Sequence, residues 1–152
     1  MKDSISIQRV KGLHPKVIED FKNFITDAEN ALGIVIRVSQ GYRSFEEQAA
    51  LYELGRTKAG KIVTKAKPGS SYHQYGLAVD LIELVKNGKE LDWNYDMGKL
   101  KPYADKYGIE WGGSWNFVDL PHFQKTNGWG WRALLDKYNK KDFISGTTFV
   151  NI

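Results

Sequence analysis

The eleven residues YGLAVDLIELV, at positions 75–85, constrain the fold more than any other stretch of this chain. Their alternation and β-branching read as a strand, and that strand carries Asp80. Asn87-Gly88 follows at once inside VKNGKELDW, a dipeptide that favours a tight hairpin turn, so an antiparallel neighbour is expected. Elsewhere strands and helices follow one another with neither a regular βαβ rhythm nor a glycine-rich phosphate loop. The expected class is therefore α+β, with a small, mainly antiparallel sheet packed against helices, rather than a doubly wound parallel sheet.

The 152 residues suit a single domain able to bury one core. Residues 13–32 read as the first helix, because Val17, Phe21, Phe24, Ile25 and Ala28 recur at helical spacing and Pro15 suits a first helical position. His14 would then stand at the helix entrance. IVIRVSQ, at 34–40, reads as a strand after Gly33. Ser44, with Glu47 three residues on, reads as the capping box of a second helix, which fixes Arg43 where a strand meets a helix start. A helix is expected over 95–106, interrupted or kinked at Pro102. IEWGGSWNFVDLPHFQ reads as a glycine-turned loop leading into a short strand around His122, and WGWRALLDKYNKK as a last helix. The tail DFISGTTFVNI carries no strong pattern.

Cysteine is absent, which excludes disulfides and thiol catalysis and leaves any metal to histidine and carboxylate. Only His14, His73 and His122 are available. No apolar run approaches the roughly 20 residues that span a bilayer, so no stable membrane association is expected. The N-terminus has no apolar core like that of a signal peptide, which reads as synthesis in the cytoplasm. Lys and Arg number 22 against 18 Asp and Glu, and the excess is uneven. Between Glu53 and Asp80 there is no acid, yet Arg56, Lys58, Lys61, Lys65 and Lys67 all fall there. Such a loop attracts polyanions or is simply solvated.

The chemistry concentrates in two segments. SSYHQYGLAVD sets His73 and Asp80 seven positions apart around Gly76, and a catalytic zinc typically takes three His or carboxylate ligands and leaves the fourth position open. His122 would complete that count. Gly76 would let the backbone turn closely between the first two ligands, and the strand would give Asp80 a rigid mount. In WNFVDLPHF, Asp119 precedes His122 by three residues, and Pro121 stiffens the separation. Asp119 is then a candidate general base. Spacing alone equally allows Asp119 to orient a ligand histidine or to replace Asp80 as a ligand.

SYHQYGLAVD fits S-x-H-x-x-G-x-A-x-D, and with the later DLPH it resembles the zinc D,L-peptidases of the D-Ala-D-Ala carboxypeptidase and VanY type, which share a core with Hedgehog signalling domains. GYRS and EWGGSW look most like the L-alanoyl-D-glutamate endopeptidase branch of phage endolysins and bacterial cell-wall hydrolases. The likeness covers roughly residues 10 to 125, leaving a C-terminal helix and tail at 126–152. It implies one Zn2+ at His73, Asp80 and His122, Asp119 as catalytic base, and Arg43, Gln48 and Ser71 in contact with substrate. Arg43 suits a carboxylate or a developing oxyanion. Relatives that cut D-Ala-D-Ala usually carry glutamate where Asp119 stands, so the resemblance favours cleavage inside the stem peptide.

The expected activity is a zinc-dependent hydrolysis of the L-Ala to D-Glu bond of peptidoglycan by a monomeric enzyme that does not bind nucleic acid. A phage endolysin released through holin-made pores fits a wall-directed chemistry without a signal peptide. Alternatives are a D,D- or L,D-carboxypeptidase, a non-catalytic wall-binding module, or a nucleic-acid binder suggested by the basic balance alone. Among the aromatic residues near the site, Trp111, Trp115, Phe117, Phe123, Trp129 and Trp131 are expected mostly in the core, with Tyr72 and Tyr75 lining a cleft.

Overall fold

Strand β2 (Ala78–Val85) is the spine of the molecule, and the rest of the sheet is built on its two edges. The computed structural model describes all 152 residues. Along one edge of β2 runs β1 (Val35–Gln40). The other edge is shared, with β5 (His122–Gln124) pairing Ala78 to Asp80 and β3 (Glu90–Asp92) pairing Glu83 to Val85. β4 (Glu110–Trp111) extends the sheet beyond β5, and every ladder is antiparallel. The class is α+β, as the hairpin signal implied. The β2–β3 turn passes through Lys86, Asn87 and Gly88, all at positive φ.

Five helices cover the sheet: α1 (Ser4–Lys11), α2 (Ile18–Leu32), α3 (Phe45–Glu53), α4 (Lys101–Asp105) and α5 (Trp131–Asn139). α2 supplies Phe21, Phe24, Ile25 and Ala28 to the core, all fully buried. Their spacing sets them on one helical face. Each of the larger ones contributes about 1.5–3 kcal/mol by leaving water. Phe24 packs on Phe123 of β5 with ring centroids 5.2 Å apart, so Phe24→Ala is expected to cost about 3–5 kcal/mol.

The strand period of two separates core from chemistry. Leu77, Val79 and Leu81 belong to the hydrophobic core, and Asp80 stands between them on the opposite face. On β5, Phe123 enters the core while His122 and Gln124 take the other face. Because Asp80 and His122 are paired directly across the ladder, the sheet register brings them side by side. A slip of one residue would turn both away from the cleft.

The helix expected over 13–32 starts only at Ile18, and a separate helix, α1, precedes it. Residues 15–17 form a turn ahead of α2, because His14 is fully buried and its Nδ1 accepts from Lys16 N–H at 3.2 Å while its carbonyl accepts from Val17 N–H at 3.0 Å. α1, which hydrophobic periodicity alone does not reveal, is capped by Asp3 through the Ser6 N–H at 3.0 Å. Arg37 holds the same carboxylate with two donors, at 2.6 and 3.1 Å. Ser44 does cap α3, accepting from Glu47 N–H at 3.0 Å. Pro102 starts α4 instead of kinking a longer helix, and residues 97–100 before it form a 3-10 turn. The patternless tail is firmly placed: Val150 is buried and its carbonyl accepts from His14 Nε2 at 2.7 Å. Phe149 packs edge-on against His14, with centroids 5.5 Å apart.

Candidate metal centre and its cleft

His73, Asp80 and His122 come together, with one ligand atom from each inside 4.8 Å of the others. His73 rides a 3-10 turn over 72–75, whose N-cap is Ser71 and whose exit is Gly76 at φ 69°. A Cβ on Gly76 would lie 2.6 Å from the His14 nitrogen, so both the left-handed conformation and the close approach demand glycine. Asp80 and His122 arrive on facing strands.

Each histidine has one ring nitrogen committed. His73 Nδ1 donates to the Gly41 carbonyl at 2.8 Å, and His122 Nε2 donates to Gln124 Oε1 at 2.8 Å. Those acceptors fix the tautomers and leave His73 Nε2 and His122 Nδ1 with free lone pairs facing Asp80. Both lone-pair nitrogens lie 3.4 Å from Asp80 Oδ1. That is long for a hydrogen bond. It matches the separation of about 3.4 Å between tetrahedral ligands held about 2.1 Å from a zinc ion. The residues therefore fit such an ion, and His14, bonded to the tail, takes no part.

Electrostatics keep the carboxylate ligand charged. Burial alone would raise the Asp80 carboxyl, but His122 and His73 outweigh it and hold Asp80 well below the usual carboxylate range. Burial alone would lower His122, yet Asp80, helped by Gln124 and Asp119, raises it. Asp119 stands apart from the three, half-exposed, with Oδ2 3.9 Å from His122 Nδ1. Burial pushes its carboxyl up, and the negative charge of Asp80 adds to the effect against the pull of His122. The loop carrying Asp119 closes on Gly112, whose carbonyl accepts from Asp119 N–H at 3.0 Å. A Cβ on Gly112 would stand 2.5 Å from the Asp119 carbonyl oxygen, which gives EWGGSW its local reason.

The cluster floors a cleft of about 570 Å³. Arg43, Ser71, His73, Asp80, Asp119 and His122 all line it. Gln48 does not. It is fully buried behind Arg43, accepts from Arg43 Nη1 at 2.8 Å, and donates to the Ala66 carbonyl at 2.7 Å. Burial depresses the Arg43 guanidinium while the charge of Asp80 opposes that effect, and Arg43 Nε is buried with no hydrogen-bond partner. Ser71 Oγ accepts from His73 N–H at 3.3 Å and so braces the 3-10 turn. Of the two tyrosines expected in the cleft, Tyr72 lines it and Tyr75 does not, since Tyr75 is buried in the core with its hydroxyl on the Gly69 carbonyl. Trp115 lines the cleft beside His122, Phe117 is exposed, and Trp111 and Phe123 stack at the core.

Gly41 and Gln124 were missed in the sequence. Gln124 had a signal, since it lies two residues after His122 on a strand and must share its face. Gly41 acts through a backbone carbonyl after an irregularity in β1 between Val38 and Gln40, which no side-chain pattern announces.

Comparison with known proteins decides the family. The family described as VanY, D-alanyl-D-alanine carboxypeptidase, matches residues 10–119. The chain belongs to the VanY family. This VanY-family peptidase is 43% identical over 122 residues to a Bacillus subtilis protein named peptidoglycan L-alanyl-D-glutamate endopeptidase CwlK, covering 74% of this chain and 72% of that one. Among solved structures, the Serratia marcescens L-Ala D-Glu endopeptidase ChiX shares the fold at a TM-score of 0.59 and 24% identity, over 81% of this chain and 87% of its own. The LdcB LD-carboxypeptidase follows at a TM-score of 0.53 and 25% identity, over 80% of this chain and 67% of its own. One architecture thus serves peptidases named for different bonds.

Proposed function

We propose that this VanY-family peptidase is a zinc-dependent endopeptidase that hydrolyses the L-Ala to D-Glu bond of peptidoglycan stem peptides. The observation that carries the reading is the convergence of two free histidine lone pairs on Asp80 beside a raised, half-exposed Asp119. The 43% identity to a protein named for that bond supports the choice of bond.

His73 Nε2, Asp80 and His122 Nδ1 would hold one zinc ion, which when bound polarises the scissile carbonyl and makes water a nucleophile near neutral pH. Asp119 takes the proton of the attacking water and returns it to the leaving D-Glu nitrogen. Its raised carboxyl suits both transfers. Arg43 holds the free α-carboxylate of D-Glu, with Nε available as a donor. Gln48 keeps the guanidinium aimed, and Ser71 keeps the His73 turn in shape.

The enzyme works as a monomer on the wall and is made in the cytoplasm, as a phage endolysin released through holin pores would be. No helix is long and apolar enough to cross a membrane. Co-expression with and without a holin tests the release step, with lysis expected only when both are present. The bond itself is tested by digesting purified peptidoglycan with zinc-loaded protein and identifying products by mass spectrometry. New D-Glu amino termini are the expected result. Loss of terminal D-Ala alone would move the enzyme to the carboxypeptidase activity of its family.

A further inference from the structure

The loop between α3 and the 3-10 turn of His73 contains the five cations and no acid. Two of the five serve the loop itself. Lys58 pairs with Glu53 at 3.1 Å, and Arg56 stacks on Tyr52 at 3.8 Å while donating to the Tyr52 and Thr64 carbonyls. Lys61, Lys65 and Lys67 are exposed and have no carboxylate within 4.0 Å. Yet the loop is a wall of the cleft, which Val63, Thr64 and Ala66 line opposite Trp115 and Asp119. Lys65 reaches the other wall, with Nζ 4.6 Å from the centre of the Phe117 ring.

Gln48 ties this row of charge to the interior. It holds Arg43 Nη1 at 2.8 Å and the carbonyl of Ala66 at 2.7 Å, and Ala66 is flanked by Lys65 and Lys67. The guanidinium and the stretch of backbone that carries Lys65 and Lys67 are therefore tied together through Gln48. Arg43 thus shares the cleft with Thr64 and Ala66, whose chain neighbours are Lys65 and Lys67.

We propose that Lys61, Lys65 and Lys67 form a carboxylate-selecting rim for the peptide substrate. It favours stem peptides whose residue after D-Glu carries a free side-chain carboxylate over those whose side chain ends in an amine alone. This rests on the proposed endopeptidase function and extends it to the third position of the stem. A peptide is the occupant because Lys65 and Lys67 are chain neighbours of Thr64 and Ala66, which line the peptidase cleft, and Lys61 lies on the same loop. Unpaired charge on such a loop acts on encounter and on substrate affinity, and salt screens it.

The test uses zinc-loaded protein and two soluble peptides, L-Ala-γ-D-Glu followed by either diaminopimelate or lysine. Hydrolysis is followed at about 20 mM and about 300 mM salt, in the wild type and in the K61Q/K65Q/K67Q variant. Binding of both peptides to zinc-loaded Asp119→Ala protein is measured in parallel by calorimetry. The wild type is expected to prefer the diaminopimelate peptide about tenfold at low salt, through KM. That preference falls toward unity at high salt and in the triple variant, with kcat unchanged. Equal affinity for both peptides, or a preference that survives the triple substitution, overturns the rim. Tighter binding of duplex DNA than of the diaminopimelate peptide overturns it in favour of a nucleic-acid surface. Selective binding without cleavage of either peptide sustains the rim and overturns the assigned bond instead.

Discussion

The floor and the mouth of the cleft are built by opposite means. The floor groups are buried or nearly so, each histidine has its second nitrogen satisfied, and strand register sets the spacing of Asp80 and His122. The mouth is carried by two loops, its cations are solvated, and exposed Ile62, Val63, Phe117, Val118 and Leu120 surround it. A floor organised by hydrogen bonds fixes geometry to a fraction of an ångström, as bond-breaking chemistry requires. A mouth organised by charge sorts ligands without fixing them, so it tolerates exchange of residues that the floor does not.

Asp80→Ala breaks the contrast most severely. It removes the oxygen shared by both histidines, and zinc retention and hydrolysis are expected to disappear together, as read by metal analysis and peptide digestion. Asp119→Ala should keep the metal and lower kcat by about 10²–10⁴. Loss of zinc in that variant would instead make Asp119 a ligand. Gln124→Leu frees the outer nitrogen of His122 and is expected to weaken zinc about 10–100-fold in a competition titration, with the fold intact by circular dichroism. At the mouth, Phe117→Ala should lower stability by about 1 kcal/mol or less in urea unfolding, the scale of an exposed cation–π pair.

The pH dependence of the metal-free protein sharpens the same contrast. His122 has its folded value raised above the ordinary 6.5, so its stabilisation is complete below 6.5 and is lost as pH rises through the folded value. The melting temperature of the metal-free protein should therefore fall as pH rises above 6.5. Zinc requires the unprotonated imidazole, so added zinc should raise the melting temperature more strongly at higher pH. A metal-free protein whose melting is flat across that range would remove the coupling of His122 to Asp80.

What was legible in the sequence follows the same division. His73, Asp80, Asp119 and His122 were visible because short spacings, the turn at Gly76 and the stiffening Pro121 place them locally. The strand around Asp80 and its hairpin were visible through period-two alternation and Asn87-Gly88. Contacts between distant segments were not. Gln48 was expected against substrate and lies behind Arg43, because burial depends on what packs from elsewhere. Tyr75 was expected in the cleft and enters the core, since the 3-10 turn and not the strand sets its direction. α1 was missed although Asp3 and Ser6 carry a cap signal, since its last turns expose more residues than they bury.

The bond from His14 to Val150 spans 136 positions of the chain. His14 also lends its backbone N–H to the Gly76 carbonyl, directly after the turn that carries His73. During synthesis the Nε2–H of His14 therefore waits for its acceptor until Val150 has been made. Long-range closures of this kind form late and slowly, so the arrival of the segment around Val150 sets the time at which the His73 turn becomes rigid.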